Sequence, residues 1–351
     1  MQEINLTING RQVTVPAGTT VLKAAELCGF QIPTLCHDEE LSNPGACRLC
    51  VVAIKNMRNL PASCVTAVSE GMEVQTHSPA VMEARKTILE LLLANHPNDC
   101  LTCSKSGNCR LQGYAYEYGV RFKELGEKHQ YPIDDGNPLI IRDYNKCILC
   151  GKCVRVCEEV QGRSIIDFSK RGFNTKIATA MDLPLEDSNC VFCGSCVAVC
   201  PVGALTEKKM AGQGRKWEMG KVRTTCPYCG TGCTFELNVK DGQVIGVTSF
   251  PEAEVNGRAL CVKGRFGTGF VHHPDRLTQP LIKKNGEFVP ASWDEALSLI
   301  AEKFSAVKAE SGGDSLAVLS SARCTNEENY LANKLARTVF GTNNIDHCAR
   351  L

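Results

Sequence analysis

Cysteine is the residue type through which this sequence is best equipped to do chemistry. The chain holds 22 cysteines in 351 residues, and most of them lie in short C-x-x-C clusters. Two thiols at that spacing are poorly placed for a structural disulfide but well placed to converge on a metal. An iron–sulfur cluster takes four thiolates, usually from one short loop and one more distant residue. The pattern therefore predicts several metal centres in one chain.

Two cysteine runs share the internal spacing C-x2-C-x2-C-x3-C. The first run is Cys147, Cys150, Cys153 and Cys157, and the second run is Cys190, Cys193, Cys196 and Cys200. This is the spacing of the bacterial double-cluster ferredoxin repeat, in which the fourth cysteine of each run ligates the other cluster. Two [4Fe–4S] clusters are therefore predicted, each with an exchanged fourth ligand. Their ligands would be Cys147, Cys150, Cys153 and Cys200 for the first cluster, and Cys190, Cys193, Cys196 and Cys157 for the second.

A third set of cysteines lies near the N-terminus and comprises Cys36, Cys47, Cys50 and Cys64. In a β-rich segment, this set predicts a [2Fe–2S] cluster. Its first gap is wider than in the C-x4-C-x2-C pattern of plant ferredoxins, and four cysteines could also bind zinc. The spacing resembles that of the 2Fe–2S domains of complex I and of iron hydrogenases.

A fourth set combines one histidine with three cysteines, namely His96, Cys100, Cys103 and Cys109. Three thiolates leave one corner of a [4Fe–4S] cluster open, and His96 is close enough in the chain to fill it. A neutral imidazole makes the cluster less negative, which tends to raise its reduction potential. A polar surface histidine is the alternative, but the motif resembles the one-histidine, three-cysteine motif of the same two families.

A fifth set comprises Cys226, Cys229, Cys233 and Cys261. By spacing alone this set is compatible with either a [4Fe–4S] cluster or zinc. Three cysteines fall outside the five sets. Cys28 is expected to be a small core residue, whereas Cys324 and Cys348 are not predicted to be ligands.

The rest of the composition excludes several classes of protein. Lys and Arg number 39 against 38 for Asp and Glu, a net charge of +1 that gives no basis for a nucleic-acid or anionic-membrane surface. The best apolar stretch, residues 88–94, contains Glu90 and is too short to cross a bilayer. The N-terminal residues lack the basic and apolar segments of a secretory signal. We therefore expect a cytoplasmic protein without a membrane span.

Local patterns predict the elements that position the N-terminal ligands. Apolar residues alternate with polar ones over residues 4–8, and the Asn9-Gly10 dipeptide that follows predicts a type I′ hairpin. A short helix capped by Thr19 or Thr20 is expected next.

A helix over residues 78–96 would deliver the fourth set of ligands. Ser78 and Pro79 predict its start. Its predicted buried stripe consists of Val81, Ala84, Ile88, Leu91 and Leu92.

The C-terminal part is predicted to consist mainly of regular helices and strands. Residues 234–248 predict a hairpin around Asp241-Gly242. Ser292 and Glu295 predict a capping box that opens a helix to about residue 310. A short buried strand over residues 316–320 and a helix over residues 327–340 are expected to follow, which is how an α/β domain begins.

The sequence around the fifth set carries a family resemblance. Residues 226–233 (CPYCGTGC) and 261–267 (CVKGRFG) resemble the Fe–S module that opens molybdopterin oxidoreductases. Residues 320–330 (SSARCTNEENY) and 341–351 (GTNNIDHCARL) resemble formate dehydrogenase catalytic subunits. Together with the complex-I-type sets, the whole chain resembles the alpha (catalytic) subunits of cytosolic NAD(P)-linked formate dehydrogenases.

This resemblance implies an oxidoreductase acting on formate or CO2 at a Mo- or W-bis(molybdopterin guanine dinucleotide) centre. One [2Fe–2S] and four [4Fe–4S] clusters would carry the electrons, and Lys263 would relay them between the fifth cluster and the pterin. Alternatively, Lys263 only offsets thiolate charge. The sequence has no G-x-G-x-x-G after a strand and no P-loop. Flavin and NAD(P) are therefore expected on complex-I-like partner subunits, with ferredoxin as a further candidate partner.

Members of that family carry a metal-ligating cysteine or selenocysteine directly after the segment that ends here at residue 351. We therefore expect this residue at position 352, encoded by an in-frame UGA codon if it is selenocysteine. A natural or deliberate truncation is the alternative. The chain alone is expected to bind clusters but not to oxidise formate. Two rival hypotheses are a stand-alone polyferredoxin-like carrier and an electron-input subunit of a hydrogenase or complex I-type assembly.

The predicted fold class is α+β and multidomain. A β-grasp 2Fe–2S ferredoxin domain would occupy residues 1–78, and a helical 4Fe–4S segment with one His and three Cys ligands residues 79–119. A double 4Fe–4S ferredoxin domain would follow at 138–209. The molybdopterin-oxidoreductase Fe–S domain would span 219–275, and the incomplete start of an α/β domain 276–351.

Overall fold

The structure is a computed structural model that describes residues 2–121, 128 and 130–348. Its N-terminal unit is a mixed sheet in the order β2-β1-β4-β3, in which β1 runs parallel to β4. The elements are β1 (Glu3–Ile8), β2 (Arg11–Pro16), α1 (Val21–Leu27), β3 (Ala53–Ile54) and β4 (Met72–Gln75). Asn9 and Gly10 both have positive φ, at 50° and 83°, which confirms the predicted type I′ turn. Thr20 caps α1, also as predicted.

Two helices form the next unit, α2 (Pro79–Ala94) and α3 (Arg110–Glu117). Ser78 caps α2 as predicted, but the predicted buried stripe is wrong in part, since Val81 is buried whereas Leu91 is 59% exposed. The buried face is formed by Val81, Arg85, Leu89 and Leu93. Arg85 belongs to it because its guanidinium donates to the carbonyl of Val51 at 2.8 Å and to the hydroxyl of Tyr118 at 3.1 Å. An apolar periodicity cannot include this arginine.

The two cysteine runs of the repeat surround short helices and strand pairs. The elements are β5 (Ile140–Arg142), α4 (Lys152–Arg155), β6 (Ile166–Ser169), β7 (Lys176–Thr179), α5 (Ser195–Val199) and β8 (Leu205–Glu207). β5 pairs with β8, and this pairing brings the two ends of the repeat together. Each run thus continues directly into a helix, α4 after the first two cysteines of the first run and α5 at the same point of the second.

The fifth set of cysteines belongs to a three-stranded antiparallel sheet in the order β11-β10-β9. The elements are β9 (Gly220–Thr225), β10 (Thr234–Lys240), β11 (Gln243–Thr248) and α6 (Val262–Phe266). The hairpin predicted over residues 234–248 is present as β10 and β11. Cys261 is the N-cap of α6, so this short helix places the fourth cysteine of the set.

The C-terminal region contains two two-stranded sheets and two longer helices. The elements are β12 (Leu281–Lys284), β13 (Glu287–Pro290), α7 (Trp293–Ser311), β14 (Val318–Ser320), α8 (Asn326–Lys334) and β15 (Ile345–His347). α8 continues as a π-helical segment, Leu335–Phe340, up to Gly341. β14 pairs in parallel with β15. Within the described residues, none of the helices has both the length and the apolarity needed to cross a membrane.

Two predictions for this region are wrong in part. The strand expected to be buried has Leu319 88% exposed. The Ser292 side chain accepts from the Glu295 backbone N–H at 3.1 Å, but the Glu295 carboxylate binds Lys284 Nζ at 3.0 Å, so only half of the capping box forms. Ala349, Arg350 and Leu351, which end the family-like segment, lie outside the described residues.

Candidate iron-sulfur centres

The N-terminal set is held in a loop between α1 and β4 and is largely buried. Cys36, Cys50 and Cys64 are at most 1% exposed. The backbone N–H of Cys47 donates to Cys36 Sγ at 3.4 Å, and a hydrogen bond of 3.4 Å joins Cys50 Sγ and Cys64 Sγ. This hydrogen bond, then burial, raise the pKa of Cys64, and the charges of Cys36 and Cys47 add to the effect. The four thiols are therefore close enough to act on one another, as ligands of one cluster would be.

His96 has the surroundings expected of a metal ligand. Its side chain is buried at the end of α2, and Nδ1 lies 2.7 Å from the carbonyl oxygen of Pro97. An N–H at Nδ1 leaves the lone pair on Nε2, which is buried and has no hydrogen-bond partner among the described residues. Burial lowers the pKa of His96 and so favours the neutral ring. A buried acceptor without a partner fits the open corner of a cluster on Cys100, Cys103 and Cys109.

The two runs of the repeat adopt nearly the same loop. Leu149 and Gly151 have φ of 52° and 68°, and the equivalent Phe192 and Gly194 have 51° and 69°. The backbone N–H of Leu149 donates to Cys147 Sγ at 3.4 Å, and that of Phe192 donates to Cys190 Sγ at the same distance. Two segments of different sequence thus present their cysteines and amides in one geometry.

The fourth cysteine of each run lies near the thiols of the other run. Burial, with added effects from the charges of Cys150 and Cys200, raises the pKa of Cys147 to about 12. Burial likewise raises the pKa of Cys196 to about 12, with added effects from Cys193, Cys190 and Cys157. This neighbourhood fits the predicted exchange of ligands. Because the buried thiols resist ionisation, iron binding would have to displace their protons.

The fifth set lies closer to solvent than the others. Cys229 and Cys261 are exposed. Burial raises the pKa of Cys233, and the charges of Cys226, Cys229 and Cys261 add to it, so these four thiols also act on one another. Lys263 is exposed on α6, and its charge contributes to lowering the pKa of Cys229, after the hydrogen bond with Thr231.

All 22 cysteines are free thiols. Across the described ranges, no three His, Cys, Asp or Glu side chains lie close enough together to hold a single metal ion. The ligand sets of the five centres therefore stay predictions, supported by the shared loops, the mutual charge effects and the free Nε2 of His96.

A buried ionic group that the sequence reasoning missed joins three of the units. Asp38 binds Lys152 Nζ at 2.8 Å and the guanidinium of Arg258 at 2.6 and 2.8 Å. The side chains of Asp38 and Lys152 are 4% and 6% exposed. Burial alone would raise the pKa of Asp38, but hydrogen bonds from Arg258 and Lys152 hold it well below its usual range. No local pattern could predict a contact between residues more than a hundred positions apart.

A second missed group is Glu207, which lies in the wall of a cavity of about 450 Å³ between the repeat, the α2–α3 unit and the fifth-set unit. Glu207 is buried, and its Oε1 has no hydrogen-bond partner within the described part of the chain. Burial raises its pKa to about 7, against the opposing effect of Arg265 and Lys209.

The units carrying these sets match known families in succession. Residues 1–79 match a 2Fe-2S iron-sulfur cluster binding domain, and 85–124 the NADH-ubiquinone oxidoreductase-G iron-sulfur binding region. Residues 137–206 match the ferredoxin-like domain of NADH-quinone oxidoreductase subunit 3. Residues 219–273 match the molybdopterin oxidoreductase Fe4S4 domain, and 276–351 the molybdopterin oxidoreductase family. The chain is therefore a multidomain iron–sulfur protein of mixed α and β structure, as predicted.

Relatives with similar sequences have several names. A G-type subunit of NADH-quinone oxidoreductase from Rhizobium meliloti is 39% identical over 99% of this chain and 40% of its own length. The alpha subunit of NADPH-Fe(3+) oxidoreductase from Geobacter sulfurreducens is 41% identical with the same coverage. A Bacillus subtilis protein named "Putative formate dehydrogenase YrhE" is 34% identical over 100% of this chain and 40% of its own length. The chain spans about two fifths of the length of these curated relatives.

A solved structure supports the same relationship. A chain in the crystal structure of an NAD+-reducing [NiFe]-hydrogenase in the H2-reduced state is 32% identical, with a TM-score of 0.52 over 60% of this chain and 90% of that one. The chain belongs to the family of NADH-quinone oxidoreductase G and molybdopterin oxidoreductase subunits.

Proposed function

We propose that this chain is the electron-transfer part of an NADH-dehydrogenase-like oxidoreductase. It would pass electrons through one [2Fe–2S] and four [4Fe–4S] clusters to or from a partner subunit that binds flavin and NAD(P). The observation that carries the proposal is the Asp38–Lys152–Arg258 group, which brings together the units of the N-terminal set, the repeat and the fifth set. Clusters held in units that share buried contacts can exchange electrons without a mobile carrier.

The direct test is anaerobic reconstitution of the chain with iron and sulfide. Five centres of the proposed types require about eighteen irons per chain. Electron paramagnetic resonance of the reduced protein should resolve one [2Fe–2S] signal and several [4Fe–4S] signals. Replacing Cys28, which lies outside the five sets, with alanine is the matched control and should leave the iron content unchanged. A protein that binds zinc instead and stays colourless would refute the proposal.

A partner subunit of the complex-I-like, flavin-containing type follows from the same proposal. The hydrogenase structure and the NADH-quinone oxidoreductase relatives support it by their names. Co-purification from the native source should recover a flavin protein that reduces the clusters with NADH or NADPH. Reduction by ferredoxin alone would favour the carrier hypothesis instead.

Formate is the candidate substrate of the whole protein. The Bacillus subtilis relative and the family-like segments at residues 320–330 and 341–351 support this choice. Ser321 of the first segment lies 3.5 Å, Oγ to Sγ, from Cys348 of the second, and the charge of Arg323 in the first segment acts on Cys229 of the fifth set. When bound, a Mo- or W-bis(molybdopterin guanine dinucleotide) would supply the formate chemistry, and Lys263 would relay electrons to the fifth cluster.

Formate-dependent dye reduction tests this assignment. A protein that contains this chain and has the full length of the curated relatives should reduce viologen dyes with formate, and the 351-residue chain should not. Lys263→Met in the full-length protein should slow formate-dependent reduction while leaving the iron content unchanged. Activity of the 351-residue chain alone would overturn the assignment.

A further inference from the structure

Two arginines bind equivalent carbonyl groups in the two halves of the repeat. Arg155 Nη2 donates to the carbonyl of Cys150 at 3.3 Å, and Arg265 Nε donates to the carbonyl of Cys193 at 2.9 Å. Cys150 and Cys193 are the second cysteines of their runs, so the same position of each cluster loop receives a guanidinium.

Each arginine also binds a group outside the repeat. Arg155 Nη2 also donates to the carbonyl of Cys36 at 2.7 Å, and its Nη1 donates to the carbonyl of Ser42. Arg155 therefore links the first cluster loop to the loop of the N-terminal set.

Arg265 makes the corresponding link on the other side. It is part of α6, and its backbone N–H donates to the carbonyl of Cys261 at 3.0 Å. Its Nη2 donates to Ser249 Oγ at 2.9 Å and to the carbonyl of Arg258 at 3.2 Å. Arg265 therefore links the second cluster loop to the unit of the fifth set.

Both arginines are buried, at 8% exposure for Arg155 and 4% for Arg265. Within the described residues, neither forms a salt bridge with a carboxylate. A buried guanidinium that no carboxylate contacts is costly. A [4Fe–4S] cluster with four thiolates carries net negative charge and would supply a counter-charge from beside the bound carbonyl.

We propose that Arg155 and Arg265 are positioning residues, each holding one cluster of the repeat against a different neighbouring centre and raising the reduction potential of that cluster. The proposal rests on the electron-transfer function proposed above. Reduction adds negative charge to a cluster, so a fixed positive charge beside it favours the reduced state. The two clusters of the repeat would thus be tuned by arginines from opposite sides.

A redox titration followed by electron paramagnetic resonance tests the proposal on the reconstituted chain. Arg265→Met should shift one [4Fe–4S] signal to a more negative midpoint potential, and Arg155→Met should shift a different one. Arg265→Lys retains the charge, so the midpoint potential should shift less in this variant than in Arg265→Met. Arg163 is the matched control, because its Nη2 donates to the carbonyl of Asn189, next to Cys190, from an exposed position at 2.9 Å. Arg163→Met should leave every potential unchanged.

Arg265→Gln keeps a hydrogen-bond donor without the charge. If Arg265→Met loses iron, the midpoint potential is measured on Arg265→Gln instead. Unchanged potentials in the uncharged variants would overturn the proposal. So would an equal loss of iron in the Met, Gln and Lys variants, because that pattern indicates a purely structural role. If the unmodified chain assembles no clusters, the proposed function itself fails. If it assembles them and the variants titrate like the parent, only this inference fails.

Discussion

The two halves of the ferredoxin repeat have the same interior but different exteriors. Their cysteine spacing, positive-φ residues and N–H···S contacts coincide. On the outside, α4 carries the buried Lys152 and Arg155, whereas α5 carries Ser195 and Ala198 at the equivalent positions. The first half therefore brings its own cations to its neighbour, and the second half receives Arg265 from another unit. Ligand spacing defines the type of centre, while the exterior residues define which centre lies next to it.

The largest expected effect comes from removing the fourth cysteine of a run, which is predicted to ligate the cluster of the other run. Cys157→Ala should remove the second cluster rather than the first, because Cys157 lies with Cys190 and Cys196. The iron content should fall by about four per chain. Spectra of the reduced protein should lose the same signal in Cys157→Ala as in Cys190→Ala.

Cys200→Ala is the reciprocal experiment and should match Cys147→Ala in the signal it loses. If Cys157→Ala instead abolished the signal that Cys147→Ala abolishes, each run would hold its own cluster and the exchange would be wrong.

A substitution of Asp38 tests the contacts on the outside of the first half, because Asp38 binds the buried Lys152 of α4. Asp38→Asn leaves Lys152 buried without its counter-charge, which should lower the free energy of unfolding by about 3–5 kcal/mol. Anaerobic urea unfolding measures this change. Glu39→Gln is the control, since its pair with Lys23 is exposed and should contribute less than about 1 kcal/mol. Equal effects of the two substitutions would mean that this buried group does not anchor the first half.

Glu207 tests the surroundings of the second half, because its carboxyl lies within electrostatic reach of Arg265. The folded state keeps the Glu207 proton up to a pKa of about 7, against an ordinary value of 4.5, so the free energy of unfolding falls as pH rises between these values. Once Glu207 is fully ionised, the free energy of unfolding is lower by roughly 3 kcal/mol. Glu207→Gln should therefore be more stable than the parent at pH 8, by up to roughly that amount.

The advantage of Glu207→Gln should shrink steadily as the pH is lowered towards 5, and denaturant midpoints at a series of pH values measure it. Glu186→Gln is the control, because that carboxylate is exposed and hydrogen-bonded to Asn137. A difference between Glu207→Gln and the parent that is independent of pH would show that Glu207 does not titrate in this range.

Sequence reasoning succeeds where the determinants are local. The Asn9-Gly10 turn and the Ser78 cap depend on a few adjacent residues, and the structure has both. Apolar periodicity places Val81 correctly on the buried face of α2 but misses Arg85, which occupies that face through hydrogen bonds that periodicity ignores. The contacts of Arg155 with Cys36 span 119 positions, and those of Arg258 with Asp38 span 220. Contacts at that separation depend on how units pack, which no local pattern encodes.

The smallest expected effect is a difference in stability between alanine substitutions at the two loop glycines, Gly151 and Gly194. Both have positive φ, so alanine at either position should cost about 1–2 kcal/mol of stability. A Cβ at Gly194 would also collide with Arg265 Cδ, whereas one at Gly151 would lie 3.0 Å from Phe168 Cζ, the end of a half-exposed ring that can move. Gly194→Ala should therefore destabilise the protein more than Gly151→Ala, as measured by thermal unfolding under anaerobic conditions.

A double variant separates backbone strain from the collision. Arg265→Met removes the hydrogen bonds that hold the side chain against the loop, so the side chain can move aside. It should therefore reduce the extra cost of Gly194→Ala towards that of Gly151→Ala, and it should leave the cost of Gly151→Ala unchanged. If Arg265→Met had the same effect on both glycine variants, Arg265 would not be packed specifically against the second loop, and the two halves of the repeat would differ less in their exteriors than their contacts indicate.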